Sequence, residues 1–292
     1  MAILLDYSQV AISSIMGQVN SRHFDGELNI DLVRHMILNG IRHYNVTFGE
    51  KYGDVVVCCD DRKYWRKEIF PYYKANRKAD REASNYDWKV IFEALETVKQ
   101  ELRDNFPYKV LQIERAEADD IIATIVKYHA SPLEGGFDFE PCVIVSGDKD
   151  FIQLHRWGDT SQWSPVQSKW VRGNPDKYLR EHILKGDRGD GIPNILSKDD
   201  TFVNGGRQTP LRQKKIDEIL DDLDEGELLY AASWYAGYCR NEQLIDLEMI
   251  PSEIRTKVTT EYRAAKSGDR SKMFNYFIDK GLSVLMQSIK EF

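Results

Sequence analysis

The feature that most restricts this fold is a recurring one: a short aliphatic run that stops at an aspartate. It occurs as "ILLD" at Ile3–Asp6, as "DVVVCCD" at Asp54–Asp60 and within "CVIVSGDKD" at Cys142–Asp150. Such runs read as buried strands, and Tyr108–Ile113 ("YKVLQI") reads as a fourth. Helical periodicity fills the intervals. Asn29–Tyr44 spaces Ile30, Val33, Ile37, Leu38 and Ile41 on one face, and Tyr86–Leu102 does the same with Val90, Ile91, Leu95 and Val98. Strands alternating with helices predict an α/β fold, a mainly parallel sheet flanked by helices. Residues 159–171 predict a short hairpin turning at Ser164–Pro165. Beyond about residue 174 helical patterns take over. The expected organisation is therefore an α/β core over 1–173, including a basic segment at about 61–82, and a helical subdomain over 174–292. Ser197–Pro210 is a polar, Gly-containing loop long enough to have a function.

In open α/β sheets, ligands collect at the carboxyl ends of the strands, and three of the four strands deliver an aspartate there: Asp6, Asp60 and Asp148. One such residue could serve only a turn; three point to a site. Asp150 stands two residues beyond Asp148. In "ERAEADDIIATIV" (114–126), Ala118, Ile121, Ile122, Ile125 and Val126 form the buried stripe of a helix. Glu117 and Asp119 flank that stripe in the first turn, and Asp120 is expected to point away from it. Acids there also stabilise the helix dipole, by ~0.3–1 kcal/mol. In "KGDRGDGIPN" (185–194), Asp187 and Asp190 are three apart, so a turn would aim both the same way.

Eight carboxylates from separate elements thus converge: Asp6, Asp60, Glu117, Asp119, Asp148, Asp150, Asp187 and Asp190. Two like charges ~5 Å apart at an effective dielectric of ~20 repel by roughly 3 kcal/mol, so the group needs cations to stay ionised. No His or Cys accompanies these positions, and all-oxygen ligands favour Mg²⁺ or Mn²⁺ over Zn²⁺. Such a site can hold two ions ~3.5–4 Å apart, as in-line phosphoryl displacement requires. The net charge of −7 becomes +1 once these eight acids are set against cations, so the composition does not oppose a polyanionic substrate.

A basic segment follows Asp60 directly. "RKYWRKEIFPYYKANRKADR" (62–81) holds eight Lys or Arg against two acids, interleaved with Tyr64, Trp65, Phe70, Tyr72 and Tyr73. Cations that track phosphates and aromatic faces that stack bases suit a single strand. The expected nucleic-acid contacts are Arg62, Lys63, Arg66, Lys67, Lys74, Arg77, Lys78 and, from the later loop, Lys185. Lys74 and Arg77 are expected on one helix face, where they could hold the scissile phosphate and offset its developing charge. The competing reading is an amphipathic helix whose aromatics pack on the core.

The four cysteines (Cys58, Cys59, Cys142 and Cys239) have no CxxC spacing, which favours reduced thiols in a cytoplasmic protein. No stretch approaches the ~18 apolar residues of a membrane span, and "MAILLDYSQV" lacks the form of a signal peptide.

The motifs together resemble those of the 5′-nuclease (flap endonuclease) superfamily, and within it the bacteriophage branch. The matching pieces are "LLDYSQVAIS", "CCDDRKYWRKEIFPYYKANRK", "ERAEADDIIA", "VSGDKDFIQLH", "QWSPVQSKWV", "HILKGDRGD", "RQTP" and the C-terminal "YFIDKGLSVLMQSIKEF", which span nearly the whole chain. The resemblance implies a nuclease that removes RNA primers and adjoining DNA from 5′ ends and cuts 5′ flaps with two Mg²⁺ ions, for which Mn²⁺ can substitute. Its substrates would be RNA–DNA hybrid, double-stranded DNA and 5′-flap DNA. It implies metal ligation by the eight acids, with Asp120 in the outer shell. Lys74 corresponds to a basic residue of a helical arch over the 5′ strand. The GDRGD loop opens a helix-three-turn-helix element that grips duplex backbone and can hold K⁺. Here "DGIPN" (190–194) replaces the usual "DNIPG", and the GxGxKT turn is absent. Only five residues precede Asp6, so a clamp-docking N-terminal extension is not expected. The C-terminal helices are a candidate docking face for a single-stranded-DNA-binding protein. A monomer with no membrane partner is expected, in the host cytoplasm if phage-encoded.

Three alternatives compete. A haloacid-dehalogenase-type phosphatase would use "VIVSGDKD" as its nucleophile strand, but it leaves Asp6, Asp60 and the basic segment unexplained. A non-catalytic binder of branched DNA would make the acids structural. A PIN-type ribonuclease shares the acid-lined sheet, but its small size leaves the last third of the chain surplus.

Overall fold

The computed structural model describes residues 1–19, 28–84, 86–131, 140–225, 232–265 and 270–292. They form two compact units. The first comprises Met1–Arg62, Asp87–Arg172 and Ser252–Phe292; the second comprises Lys63–Tyr86 and Gly173–Pro251.

The first unit is built on a sheet. Its elements run β1 (Ala2–Asp6), α1 (Tyr7–Val19), α2 (Ile30–Tyr52) and β2 (Val55–Cys59). The chain leaves for the second unit, where it forms α3 (Trp65–Ile69) and α4 (Asn76–Glu82), and returns as α5 (Trp88–Asn105). It continues through β3 (Lys109–Gln112), α6 (Ala118–Ala130), β4 (Cys142–Val145), a 3₁₀ segment (Lys149–Arg156), β5 (Thr160–Ser164) and β6 (Lys169–Val171). The strand order is β3-β2-β1-β4-β5-β6. The first five strands are parallel, and β6 closes the expected hairpin antiparallel to β5. Strands β1, β2 and β4 are buried along their whole length, which requires helices on both faces. α2 and α6 both lie against β1 and β4, α2 packing with α1 and α5 and α6 with α10 (Ser252–Ala264).

Successive strands are added to one side of β1 through β3 and to the other side from β4 onward, which makes the gap between β1 and β4 the topological switch point, at whose carboxyl edge ligands bind in such sheets. Local signals set the helix ends that frame this edge. Asn29 caps α2 by accepting from the Asp31 and Leu32 amides, and Asp87 caps α5 by accepting from Lys89 and Val90. Gly147, after β4, has no room for a side chain, because a Cβ there would lie 2.9 Å from Ser164 Oγ.

The second unit is helical. With α3 and α4 it holds α7 (Pro175–Lys185), α8 (Gln213–Glu225) and α9 (Tyr235–Ile245). Phe70 and Tyr73 of the basic segment join Leu179, Ile183, Ile192, Leu244 and Ile245 in one buried cluster. Leu184, Ile195, Ile216, Ile219 and Trp234 form another.

The expected organisation changes in two respects. The basic segment clusters with residues 173–251, since Phe70 and Tyr73 are buried there. Residues 252–292, with α10, α11 (Ser271–Asp279) and α12 (Ser283–Met286), cluster with the sheet. The physical reason is aromatic: Phe106 rings meet Tyr276, Phe277 and Phe292, and the Tyr262 hydroxyl lies 2.7 Å from His129 Nε2. The four cysteines are free thiols, three of them buried. No helix among the described residues is long and apolar enough to cross a membrane.

One close approach tests the packing of the second unit. A Cβ on Gly237 would lie 2.2 Å from the Ile195 carbonyl oxygen. Alanine normally favours a helix by ~1 kcal/mol over glycine, but overpacking costs ~1–3 kcal/mol and should win. Gly237→Ala is expected to lower the urea midpoint rather than raise it.

Candidate active site

Six of the eight predicted acids belong to the first unit and gather at its carboxyl edge. Asp6 ends β1 and is only 8% exposed. Its Oδ1 accepts from the Gln9 amide at 3.1 Å and its Oδ2 from the Ser146 hydroxyl at 3.2 Å. Asp60, just past β2, accepts from the Ser8 hydroxyl (2.7 Å) and the Ala118 amide (2.9 Å). The Ala118 contact ties the end of β2 to the first turn of α6, which carries Glu117 and Asp119. Asp148, beyond β4, is exposed, and its Oδ1 accepts from the Asp150 amide at 3.0 Å.

The charges of Asp60 and Asp148 are felt at Asp6. Burial first, then the charges of Asp60 and Asp148, push the Asp6 carboxyl up to about 7 against the helping hydrogen bonds from Gln9 and Ser146. The Cys58 thiol beneath the edge is also raised, by burial, by Cys59 and by Asp6, Asp119 and Asp60. The donor set is all hard oxygen, and its members repel one another. It fits divalent cations of the Mg²⁺ or Mn²⁺ kind.

Asp120 corrects one expectation. It is fully buried, and its Oδ2 accepts from the Glu117 amide at 2.9 Å in a capping box. It therefore shapes the turn that carries Glu117 rather than facing outward.

Asp187 and Asp190 lie in the second unit and do not aim the same way. Asp187 Oδ1 accepts from the Gly189 (2.6 Å) and Asp190 (3.2 Å) amides, and its Oδ2 lies 3.7 Å from His182. Burial alone would raise this carboxyl, but His182 and the two amides outweigh it and hold it low. Asp190 instead collects cations of the basic segment. Arg77 reaches its Oδ1 at 2.6 Å, while Tyr73 (2.9 Å) and Lys74 (3.5 Å) approach its Oδ2. The Lys74 amide also donates to the Asp190 carbonyl at 2.7 Å. Lys74 does not share a helix face with Arg77: it precedes α4 with φ +54°, and the two side chains converge from separate backbone.

The aromatics of the basic segment mostly serve packing, as the competing reading had it. Trp65, Phe70 and Tyr73 are buried, so they are not open faces for bases. Arg66, predicted as a phosphate contact, is 3% exposed; it stacks on Trp65 and donates to the Leu244 carbonyl at 2.9 Å. Arg62, Lys63, Lys67, Arg77, Lys78 and Lys185 are exposed, and α4 buries none of its residues.

Sequence patterns passed over the residues that orient the acids. Ser8, Gln9 and Ser146 are polar residues in apolar stretches, which was the available signal. Gln162 is 1% exposed and clasps the Ser146 (2.9 Å) and Asp148 (2.6 Å) carbonyls, linking β5 to the loop after β4.

Residues 28–180, which carry β2 to β6 with Asp60, Glu117, Asp119, Asp148 and Asp150, match the family model described as the 5′-3′ exonuclease N-terminal resolvase-like domain. Fold and site define a metal-dependent nuclease of that class. A second model, T4 RNase H, C terminal, matches residues 173–292. The chain is 36% identical to Ribonuclease H of Enterobacteria phage T4 over 299 residues, covering 99% of this chain and 95% of that protein. It belongs to the T4 RNase H family of 5′-3′ nucleases. A flap endonuclease Xni of Shewanella sp. (strain MR-4) is 30% identical over 149 residues, 48% of this chain and 51% of the relative. Among solved structures, the T5 D15 protein, co-crystallized with metal ions, superposes with a TM-score of 0.58 at 16% identity, over 91% of this chain and 99% of that one. The T5 5′-exonuclease with bound zinc gives 0.59 at 15%, over 90% and 98%. Both likenesses concern the fold. Membership in a nuclease family sets aside the phosphatase and the non-catalytic binder.

The sign of the Asp6 shift makes a prediction. Its folded value, about 7, lies above the ordinary 3.8, so ionisation burdens the folded state as pH rises from about 4 through 7. In chelator, Asp6→Asn is expected to melt higher than the unchanged protein at pH 8 and no higher at pH 4. Adding Mg²⁺ at pH 8 should raise the unchanged protein's melting temperature by more than the variant's.

Proposed function

We propose that the chain is a 5′→3′ exonuclease and flap endonuclease that hydrolyses RNA paired with DNA, and adjoining DNA, from 5′ ends, with primer removal in lagging-strand replication as its role. The observation that carries this reading is the first unit's carboxylate cluster, where burial, Asp60 and Asp148 drive Asp6 to about 7. A buried acid so unfavourably placed indicates a site that awaits cations. Asp6, Asp60, Glu117, Asp119, Asp148 and Asp150 would hold two Mg²⁺. Bound there, the ions would make water more acidic and draw charge from phosphate oxygens.

The chain's own groups divide the remaining work. Ser8, Gln9, Ser146 and the Ala118 amide keep the carboxylates aimed. Lys74 and Arg77 offset charge on the scissile phosphate. Their convergence on the Asp190 carboxylate supports this, because two cations already arranged around one anion can take a phosphate with little reorganisation. Arg62, Lys63, Lys67, Lys78 and Lys185 track the strand backbone by charge. A single-stranded-DNA-binding partner would use α11 and α12, where Phe274, Ile278 and Val284 are exposed.

One gel tests the reading. RNA–DNA hybrids and 5′ flaps, labelled at the 5′ or the 3′ end, are incubated with Mg²⁺ or with chelator. Short 5′-labelled products that require Mg²⁺ are expected. Cleavage in chelator, or products shortened from the 3′ end, would refute it. Arg77→Ala is expected to lower single-turnover cleavage about 10²–10³-fold, as loss of one charge-stabilising donor does elsewhere. Binding of the same substrate in Ca²⁺ should weaken far less.

A further inference from the structure

Asp61, beside Asp60, is none of the acids assigned above, yet the structure builds a turn around it. Residues 113–116 join β3 to α6 through a turn closed by the Ala116 amide donating to the Ile113 carbonyl at 3.0 Å. Its third residue, Arg115, has φ +67°, a left-handed conformation that a side chain disfavours and glycine accepts freely. Asp61 grips that turn twice. Its Oδ2 accepts from the Arg115 amide at 2.9 Å, and its own amide donates to the Ala116 carbonyl at 2.9 Å.

Behind Asp61 stands a buried support. Gln112 Nε2 approaches Asp61 Oδ1 at 3.4 Å, while Gln112 Oε1 accepts from Lys99 at 2.8 Å. Lys99 is 5% exposed and is paired with Glu96 at 2.7 Å. A buried ammonium is costly unless its partners are in place, so this chain of groups has one favoured arrangement.

What leaves the turn matters for the site. The next residues are Glu117, 1% exposed; Ala118, whose amide donates to Asp60 Oδ1 at 2.9 Å; and Asp119. The position of three carboxylates therefore depends on a turn whose backbone is disfavoured and whose amide is held by Asp61. We propose that Asp61 is a positioning residue of the metal site: it fixes the left-handed Arg115 turn and so aims Glu117, the Ala118 amide and Asp119, and Lys99 and Gln112 hold it in place. This rests on the reading of Asp60, Glu117 and Asp119 as metal ligands.

The test separates a held turn from a charge effect. Mn²⁺ affinity is measured by electron paramagnetic resonance on the full chain without nucleic acid, beside single-turnover cleavage and melting in chelator. Asp61→Ala is expected to weaken Mn²⁺ binding and lower the cleavage rate about 10–100-fold, the usual cost of losing a group that orients ligands. The KM for nucleic acid should change little. Asp61→Asn keeps an oxygen for the Arg115 amide and should stay within a few-fold of the unchanged protein. The double variant Asp61→Ala with Arg115→Gly should recover most of the lost affinity, because glycine holds the turn without help. Mn²⁺ affinity unchanged in Asp61→Ala would overturn the proposal, as would a double variant no better than Asp61→Ala, or an Asn variant as weak as the Ala one. Should Asp61→Ala fail to fold, the Asn variant and Arg115→Gly with Asp61→Asn carry the comparison. The Mn²⁺ measurement needs no cleavage, so it stands apart from the substrate reading: if no variant or unchanged protein binds Mn²⁺, the ligand assignment itself fails.

Discussion

Mutual repulsion among carboxylates at one sheet edge is the constraint around which the first unit is arranged. A parallel sheet brings several strand ends to the same edge, and this chain ends or follows β1, β2 and β4 with acid. Left alone such a group would take up protons, as Asp6 does when its carboxyl rises to about 7. The neighbours Gln9 and Ser146 offset that repulsion only in part. Hydrogen bonds from Ser8, Gln9, Ser146 and Ala118 fix where the oxygens of Asp6 and Asp60 point, the arrangement on which the proposed cation site rests. Stability given up there is recovered in the apolar strands beneath, where Ile3, Leu4, Val57, Val143 and Ile144 are wholly buried.

The second unit treats charge in the complementary way. Its loop after α7 presents Asp190 to Lys74, Arg77 and Tyr73, so two cations of the basic segment are ordered around an anion. The basic segment itself is anchored by aromatic burial: Phe70 and Tyr73 sink into the same cluster as Ile183 and Leu244. Arg66 shows how far that anchoring goes. Its guanidinium is spent on a backbone carbonyl and the Trp65 ring, an amphipathic side chain used for packing and hydrogen bonding at once.

The α/β alternation, the parallel sheet, the hairpin over 159–171 and the acids at the strand ends were legible because they follow from local periodicity. Short apolar runs of four or five residues with an Asp at or just beyond their ends leave few alternatives once helices lie between them. A divalent-metal site was legible for a related reason, since acids without His or Cys favour hard cations, while the nuclease reading came from the resemblance of the combined motifs to the 5′-nuclease superfamily. The helical pattern could place Asp119 beside the stripe of α6, but not Asp120, because a capping box buries a first-turn acid that periodicity assigns to solvent.

What the chain's order of residues determined by itself was chemistry and period: which side chains are acids, which runs are apolar, and how often each recurs. Only the tertiary structure decided which neighbours those groups keep. It sent the basic segment into a helical unit with residues 173–251 and returned residues 252–292 to the sheet, since burial of Phe70 or Phe292 depends on partners more than a hundred residues away. It also separated Lys74 from the helix that carries Arg77 and then brought their side chains to one carboxylate. Contacts across such distances are set by packing and charge in three dimensions, and no local pattern encodes them.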